Sequence, residues 1–256
     1  MSRKLETAVR AGDVALATQL IDEGANPNRH YAHSLPLVIT ANTGDVAMTK
    51  MLLEKGADPE RVDNNGTTPF GIALWRQHPA VAHALLDAGA NPLPDNDNGN
   101  TGWTWALSHQ YKDIIERMLE KGVDINQTDC HGSNCLTGVG LQKEYEFSGW
   151  LLEKGADPNF MNKKFGYTPL HIACQHDNPA ATKWLADVGA RLDVTNSDGL
   201  TPVEFARKYH NPKALAVLLQ VEIAREGRIF TEGSPVPISA RRPLQLKSKG
   251  DVNAFC

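Results

Sequence analysis

One nine-residue pattern recurs through the chain as LIDEGANPN, LLEKGADPE, LLDAGANPL, MLEKGVDIN, LLEKGADPN and LADVGARLD. Its glycines, Gly24, Gly56, Gly89, Gly122, Gly155 and Gly189, stand 32, 33, 33, 33 and 34 residues apart. A second series keeps step with the first: LPLVIT from Leu35, TPFGIA from Thr68, TGWTWA from Thr101, NCLTGV from Asn134, TPLHIA from Thr168 and TPVEFA from Thr201. Two series in phase at that period require a chain of like supersecondary units, none of which can bury its apolar face alone. Stacking on neighbours builds the core instead, so the 256 residues are not divided by the usual length rule into globular domains.

The residues of each unit dictate its local shape. Thr68, Thr168 and Thr201 place a hydroxyl where it caps the first free amides of a helix, and Pro69, Pro169 and Pro202 occupy the first helical position, where no amide hydrogen is needed. Thr201 with Glu204 forms a capping-box pattern, and Thr168 with His171 allows the same reciprocal bonding. A short apolar helix, a tight link and a second helix ending in Leu-Leu-x-x-Gly follow. The glycine stops that helix by adopting a left-handed conformation. About a dozen residues rich in Asn, Asp and Gly then lead to the next cap, which suits a protruding β-turn or hairpin. The first copy, LETAVRAGDVALATQLIDEGANPN, lacks a preceding hairpin and reads as an N-terminal capping unit; six fuller copies follow, giving seven units.

This pattern, over residues 4–220, resembles the ankyrin repeat family. The resemblance implies an all-α solenoid of stacked helix-turn-helix units with protruding β-turn or hairpin loops, formed by residues 1–220. Residues 221–256 break the period: VEIAREGRIF prolongs a terminal helix, and the remainder is expected to be a flexible or docked tail. Function in such an array is expected on the concave surface formed by hairpin tips and the ends of the first helices. The family points to the two residues before each hairpin glycine and to the seventh and eighth after each threonine slot. In the third unit these are Asn64, Asn65, Trp75 and Arg76; in the fourth, Asp97, Ser108 and His109 stand out; in the fifth, His131. The sixth contributes Lys164, Phe165, Gln175 and His176, and the seventh Lys208 and Tyr209. Aromatic residues and arginine dominate interface energetics, so Trp75, Arg76, Phe165 and Tyr209 lead the set.

TGWTWALSHQ, residues 101–110, departs most from its sister copies. Gly102 replaces proline at a cost of up to about 1 kcal/mol of helix propensity, while Trp103 and Trp105 take slots filled by Phe70 and Ile72 one unit earlier. Both indoles read as core filler, or one edge reaches the groove as a partner anchor. In the next copy Gly138 and Gly140 interrupt the first helix behind a weak cap at Asn134, making this the softest unit of the stack.

Composition bounds the remaining function classes. Hydrophobic residues form 41%, charged residues 22%, and the net charge is −4, as for a folded soluble protein. Six basic and four acidic residues from Val221 onward leave the preceding body at −6, which disfavours nucleic acid. With no spanning apolar run, no secretory signal and four scattered cysteines, a cytoplasmic, monomeric protein without membrane contact is expected. Cys130, His131, Cys135, His171, Cys174 and His176 lack metal-ligand spacing, and PDNDNGN at 94–100 lacks the closing acid of a calcium loop, so neither metal nor cofactor is expected. No nucleophile with its base emerges, and the chain reads as a non-enzymatic module binding a protein partner as adaptor, inhibitor or scaffold, in the style of a bacterial effector or immunity protein. The alternative is an accessory or regulatory subunit of an enzyme acting through the C-terminal tail.

Overall fold

A computed structural model describes residues 2–30, 35–93, 102–128, 132–138 and 144–231. Thirteen α-helices and no strand occur among them. They pair along the chain as α1 (Ser2–Ala11) with α2 (Val14–Asp22), α3 (Pro36–Thr43) with α4 (Val46–Glu54), α5 (Pro69–Trp75) with α6 (Pro79–Asp87), and α7 (Gly102–Ser108) with α8 (Lys112–Glu120). After α9 (Glu146–Glu153) come α10 (Pro169–Gln175) with α11 (Pro179–Asp187) and α12 (Pro202–Lys208) with α13 (Pro212–Thr231). First helices pack on first helices (α1 on α3, α3 on α5, α5 on α7, α10 on α12) and second helices on second helices (α2 on α4, α4 on α6, α6 on α8, α11 on α13). The result is a two-layer all-α solenoid.

The caps form as the sequence implies. Thr68, Thr168 and Thr201 accept from the amides of Gly71, His171 and Glu204, and the last two complete reciprocal capping boxes. The six repeat glycines hold φ between 82° and 98°, and the amide after each closes back on the helix, as Ala25 does on the Leu20 carbonyl at 2.9 Å. A continuous apolar core runs through the stack, from Leu5 and Leu20 through Phe70, Leu85, Trp103 and Ile115 to Leu185, Phe205 and Leu218.

A polar ladder links successive units at the repeated turn. The Asn28 carboxamide accepts from the Asp58 amide at 2.7 Å and donates to the Gly56 carbonyl at 2.9 Å. Glu60 repeats the first bond to Asn91, Asn126 repeats both to Asp157 and Gly155, and Asn159 accepts from Arg191. The residue in this slot between the third and fourth units is Leu93, whose side chain has no acceptor.

The fifth unit is the irregular one. Among the described residues of its first-helix segment, 135–138 make a tight 3-10 turn, with the Thr137 amide donating to the Asn134 carbonyl at 3.1 Å. Asn134 caps this turn through Leu136 at 3.1 Å. At the other end of the described residues α13 runs unbroken past residue 220, and Arg225 on it donates to the Ala186 carbonyl at the end of α11 and to the Ala190 carbonyl just beyond it.

Candidate partner-binding face

The tips are built by one side chain each. Asp63 accepts from the amides of Asn65 and Thr67, at 2.9 and 2.8 Å; Asn162 does the same for Phe165 and Tyr167, and Asn196 for Asp198 and Leu200. Backbone bonds from Asp63 to Thr67, Asn162 to Tyr167 and Asn196 to Leu200 close the turns. The Ser197 amide reaches the Phe165 carbonyl at 3.0 Å, so the sixth and seventh tips are joined. Asn64, Asn65, Lys164 and Phe165 stand exposed on these turns.

The remaining candidates lie at the ends of the first helices. Trp75, Arg76, Ser108, Gln175, His176, Lys208 and Tyr209 are exposed at the ends of α5, α7, α10 and α12, and His109 is half-buried. Asp97 and His131 lie outside the described residues. Trp75, Phe165 and Tyr209 leave 48%, 47% and 46% of their surface open, a large exposure for side chains of that size. Val62 and Met161, immediately before the turn-building Asp63 and Asn162, are also exposed. Sequence reasoning passed over these two, although their shared register before the turn was visible.

Two aromatic runs result. In the third and fourth units Trp75 lies 6.4 Å from Trp105, which leads to His109 and Tyr111. The Arg76 guanidinium sits 4.1 Å over the Trp75 ring and donates to Asn42 at 3.0 Å. The two indoles of TGWTWA therefore separate: Trp103 is core, 2% exposed, whereas Trp105 is half-buried and extends the Trp75 surface. In the sixth and seventh units Phe165, Tyr167, Phe205 and Tyr209 form a second run with centroid separations of 5.4, 5.2 and 4.6 Å. Burial, with the nearby Tyr209 and Asp198, raises the Tyr167 phenol above its ordinary pKa.

Groups with catalytic potential are held in structural roles. His83 donates through Nε2 to Asp113 at 2.6 Å, but its Nδ1 accepts from Arg117, which also bonds Asp87, so neither ring nitrogen is left to act as a base. Burial pushes the Cys135 and Cys174 thiols up to about 12, away from thiolate chemistry. His171 is buried between Thr168 and the Leu200 carbonyl. Among the described residues no three His, Cys, Asp or Glu side chains gather as metal ligands, and no helix is long and apolar enough to cross a membrane.

A family model described as ankyrin repeats (3 copies) matches residues 5–96, 37–129 and 139–226. The chain belongs to the ankyrin repeat family. Such repeats are protein-interaction modules, and the fold is generally non-enzymatic. Among curated proteins, this ankyrin chain is 39% identical over 72 residues to human SH3 and multiple ankyrin repeat domains protein 2, and 38% identical over 82 residues to a putative ankyrin repeat protein of Rickettsia felis. These matches take in 28% and 30% of the chain and span only 4% and 36% of the two relatives. Among solved structures, the ankyrin repeat domain of Bcl-3 superposes with a TM-score of 0.74 at 24% identity, over 84% of this chain and 97% of that one. The human ASB11 ankyrin repeat domain gives 0.66 at 25% identity, over 91% and 99%. A chain from the complex of a Bdellovibrio bacteriovorus predatory endopeptidase with an immunity protein gives 0.63 at 29% identity, over 73% and 98%.

Proposed function

We propose that this ankyrin array is a non-enzymatic module that binds a protein partner along the concave face lined by its tips and first-helix ends. The observation that carries the reading is the exposure of three large aromatic side chains, Trp75 and Tyr209 at the ends of α5 and α12 and Phe165 at a turn tip, each about half open. Exposed aromatics of this kind are the anchors that supply most interface free energy. Trp105 joins them as part of the Trp75 surface. Within the range of adaptor, scaffold and inhibitor, the likeness to a chain of the endopeptidase–immunity protein complex favours an inhibitor.

The deciding experiment compares partner capture by the intact protein with that by the combined Trp75→Ala, Arg76→Ala, Phe165→Ala, Tyr209→Ala variant, both shown to be folded by circular dichroism. Loss of a partner retained by the parent supports the assignment; equal recovery removes it. A truncation after Thr231 tests the tail reading. It is the proper boundary because Arg225 secures the end of α11, so a cut at residue 220 would damage the stack itself.

A further inference from the structure

The open aromatics of the binding face proposed above are each paired with a cation, although the molecule as a whole is acidic. Each of its three open aromatics carries a cation on its ring: Arg76 over Trp75 at 4.1 Å, Lys164 over Phe165 at 5.0 Å and Lys208 over Tyr209 at 5.2 Å. Lys163 adds a fourth exposed cation at the sixth tip, where its amide lies 3.4 Å from the Gly132 carbonyl. Acidic groups nearby are mostly engaged. Asp63 accepts from its turn amides and Glu204 from Thr201, whose bonds hold that carboxyl below its ordinary pKa, so both are fixed in place as anions rather than free to pair with the cations. Asp198 faces Lys208 at 4.0 Å, the outer limit of an ion pair. By contrast, residues 1–220 carry 26 acidic and 20 basic side chains. Cations set on every open ring of an acidic body are a local pattern that the overall charge does not explain.

We infer that, if the concave face is the binding surface, its occupant is an acidic segment of a protein partner in which bulky apolar side chains alternate with Asp or Glu. The apolar side chains would lie on the aromatic runs of the third and fourth and of the sixth and seventh units. The carboxylates would meet the cations that edge those rings, where a charge-assisted hydrogen bond forms beside an apolar contact. The backbone bond from Ser197 to Phe165 holds the sixth and seventh cation–aromatic pairs in one rigid block, so this end of the face is already organised for its ligand.

The test uses the full chain, immobilised, and a displayed library of random dodecamer peptides. Selected pools are measured against the parent, a Lys163→Glu, Lys164→Glu, Lys208→Glu variant, and a Phe165→Ala, Tyr209→Ala variant, with thermal unfolding confirming that each is folded. Enriched peptides are expected to be acidic with aromatic or leucine residues. They should weaken at least about tenfold in the charge variant and again when salt rises from about 0.05 to about 0.5 M. Neutral or basic peptides that still require Phe165 and Tyr209 would overturn the acidic partner while leaving the face intact. Peptides indifferent to both variants would sink the face itself. No enrichment over an uncoated surface, or tight Lys-dependent binding of a single-stranded DNA dodecamer with no such peptides, would also refute the inference.

Discussion

Replacing Gly102 by alanine separates helix propensity from packing. Judged on propensity, alanine in the first turn of α7 gains up to about 1 kcal/mol over glycine, and the sister copies, which carry Pro36, Pro69, Cys135, Pro169 and Pro202 in this slot, suggest that any Cβ is welcome. The structure predicts the reverse. A Cβ on Gly102 would lie 2.3 Å from Phe70 Cε1, 2.5 Å from Phe70 Cδ1 and 3.0 Å from the Pro92 carbonyl oxygen. Phe70 is 1% exposed and cannot swing into solvent. Overpacking of this kind costs about 1–3 kcal/mol, so Gly102→Ala should lower stability by up to about 2 kcal/mol once the full propensity gain is subtracted. The assay is urea unfolding followed by tryptophan fluorescence, with Trp103 next to the substituted residue. Phe70→Leu alone should also destabilise, because it leaves part of a buried ring volume unfilled. In the double variant the alanine should be tolerated, giving a coupling free energy of about 1–3 kcal/mol of opposite sign. An alanine that stabilises the parent, or costs the same with Phe70 as with Leu, would refute the packing argument.

Four further outcomes follow from named residues. Gln110 holds φ at 55°, in the left-handed region, so Gln110→Gly should stabilise by about 1 kcal/mol in thermal or urea unfolding. Asp177, at φ 45°, should respond oppositely, because its carboxylate accepts from the Lys213 and Ala214 amides at the start of α13. Asn126→Ala removes two bonds to the fifth unit and should cost about 1–2 kcal/mol by the same measurement. His171 has its pKa lowered by burial, only partly offset by its bond to Leu200, so its neutral form supports the fold above about pH 6.5. That support is lost as pH falls through the depressed folded value. The urea midpoint should drop on acidification, and His171→Gln, which can keep the capping box, should flatten the profile.

What the sequence made legible and what it did not divide along a physical line. Helix starts, helix stops and turn tips are decided by a few residues close together in the chain, so Thr168 with Pro169 and His171, or Gly155 after Leu151 and Leu152, announced their geometry. Gly138 in the fifth unit marked a departure from the regular helix, and residues 135–138 make a 3-10 turn there, although the cap at Asn134, read as weak, does hold the Leu136 amide. Gly102 was not legible in this way. Its meaning lies in the volume of Phe70, more than thirty residues away, and the 33-residue alignment that revealed the family also disguised the contact by treating each slot as independent. Trp105 was undecidable for a related reason, since an apolar residue at helical spacing looks the same whether it faces a neighbouring core or a neighbouring indole.

The same distinction bears on where recognition resides. Period and caps are constraints that every unit must satisfy to stack, so positions that obey them say little about a partner. The informative positions are those where stacking demands nothing and the chain nevertheless places a large aromatic beside a cation. Trp75 with Arg76, Phe165 with Lys164, and Tyr209 with Lys208 meet that description at slots that also accommodate Ser108, Asn65 and Gln175. The fold would tolerate small polar residues at all six. Stability therefore does not explain the three pairs, and their common face is where a partner that does can be sought.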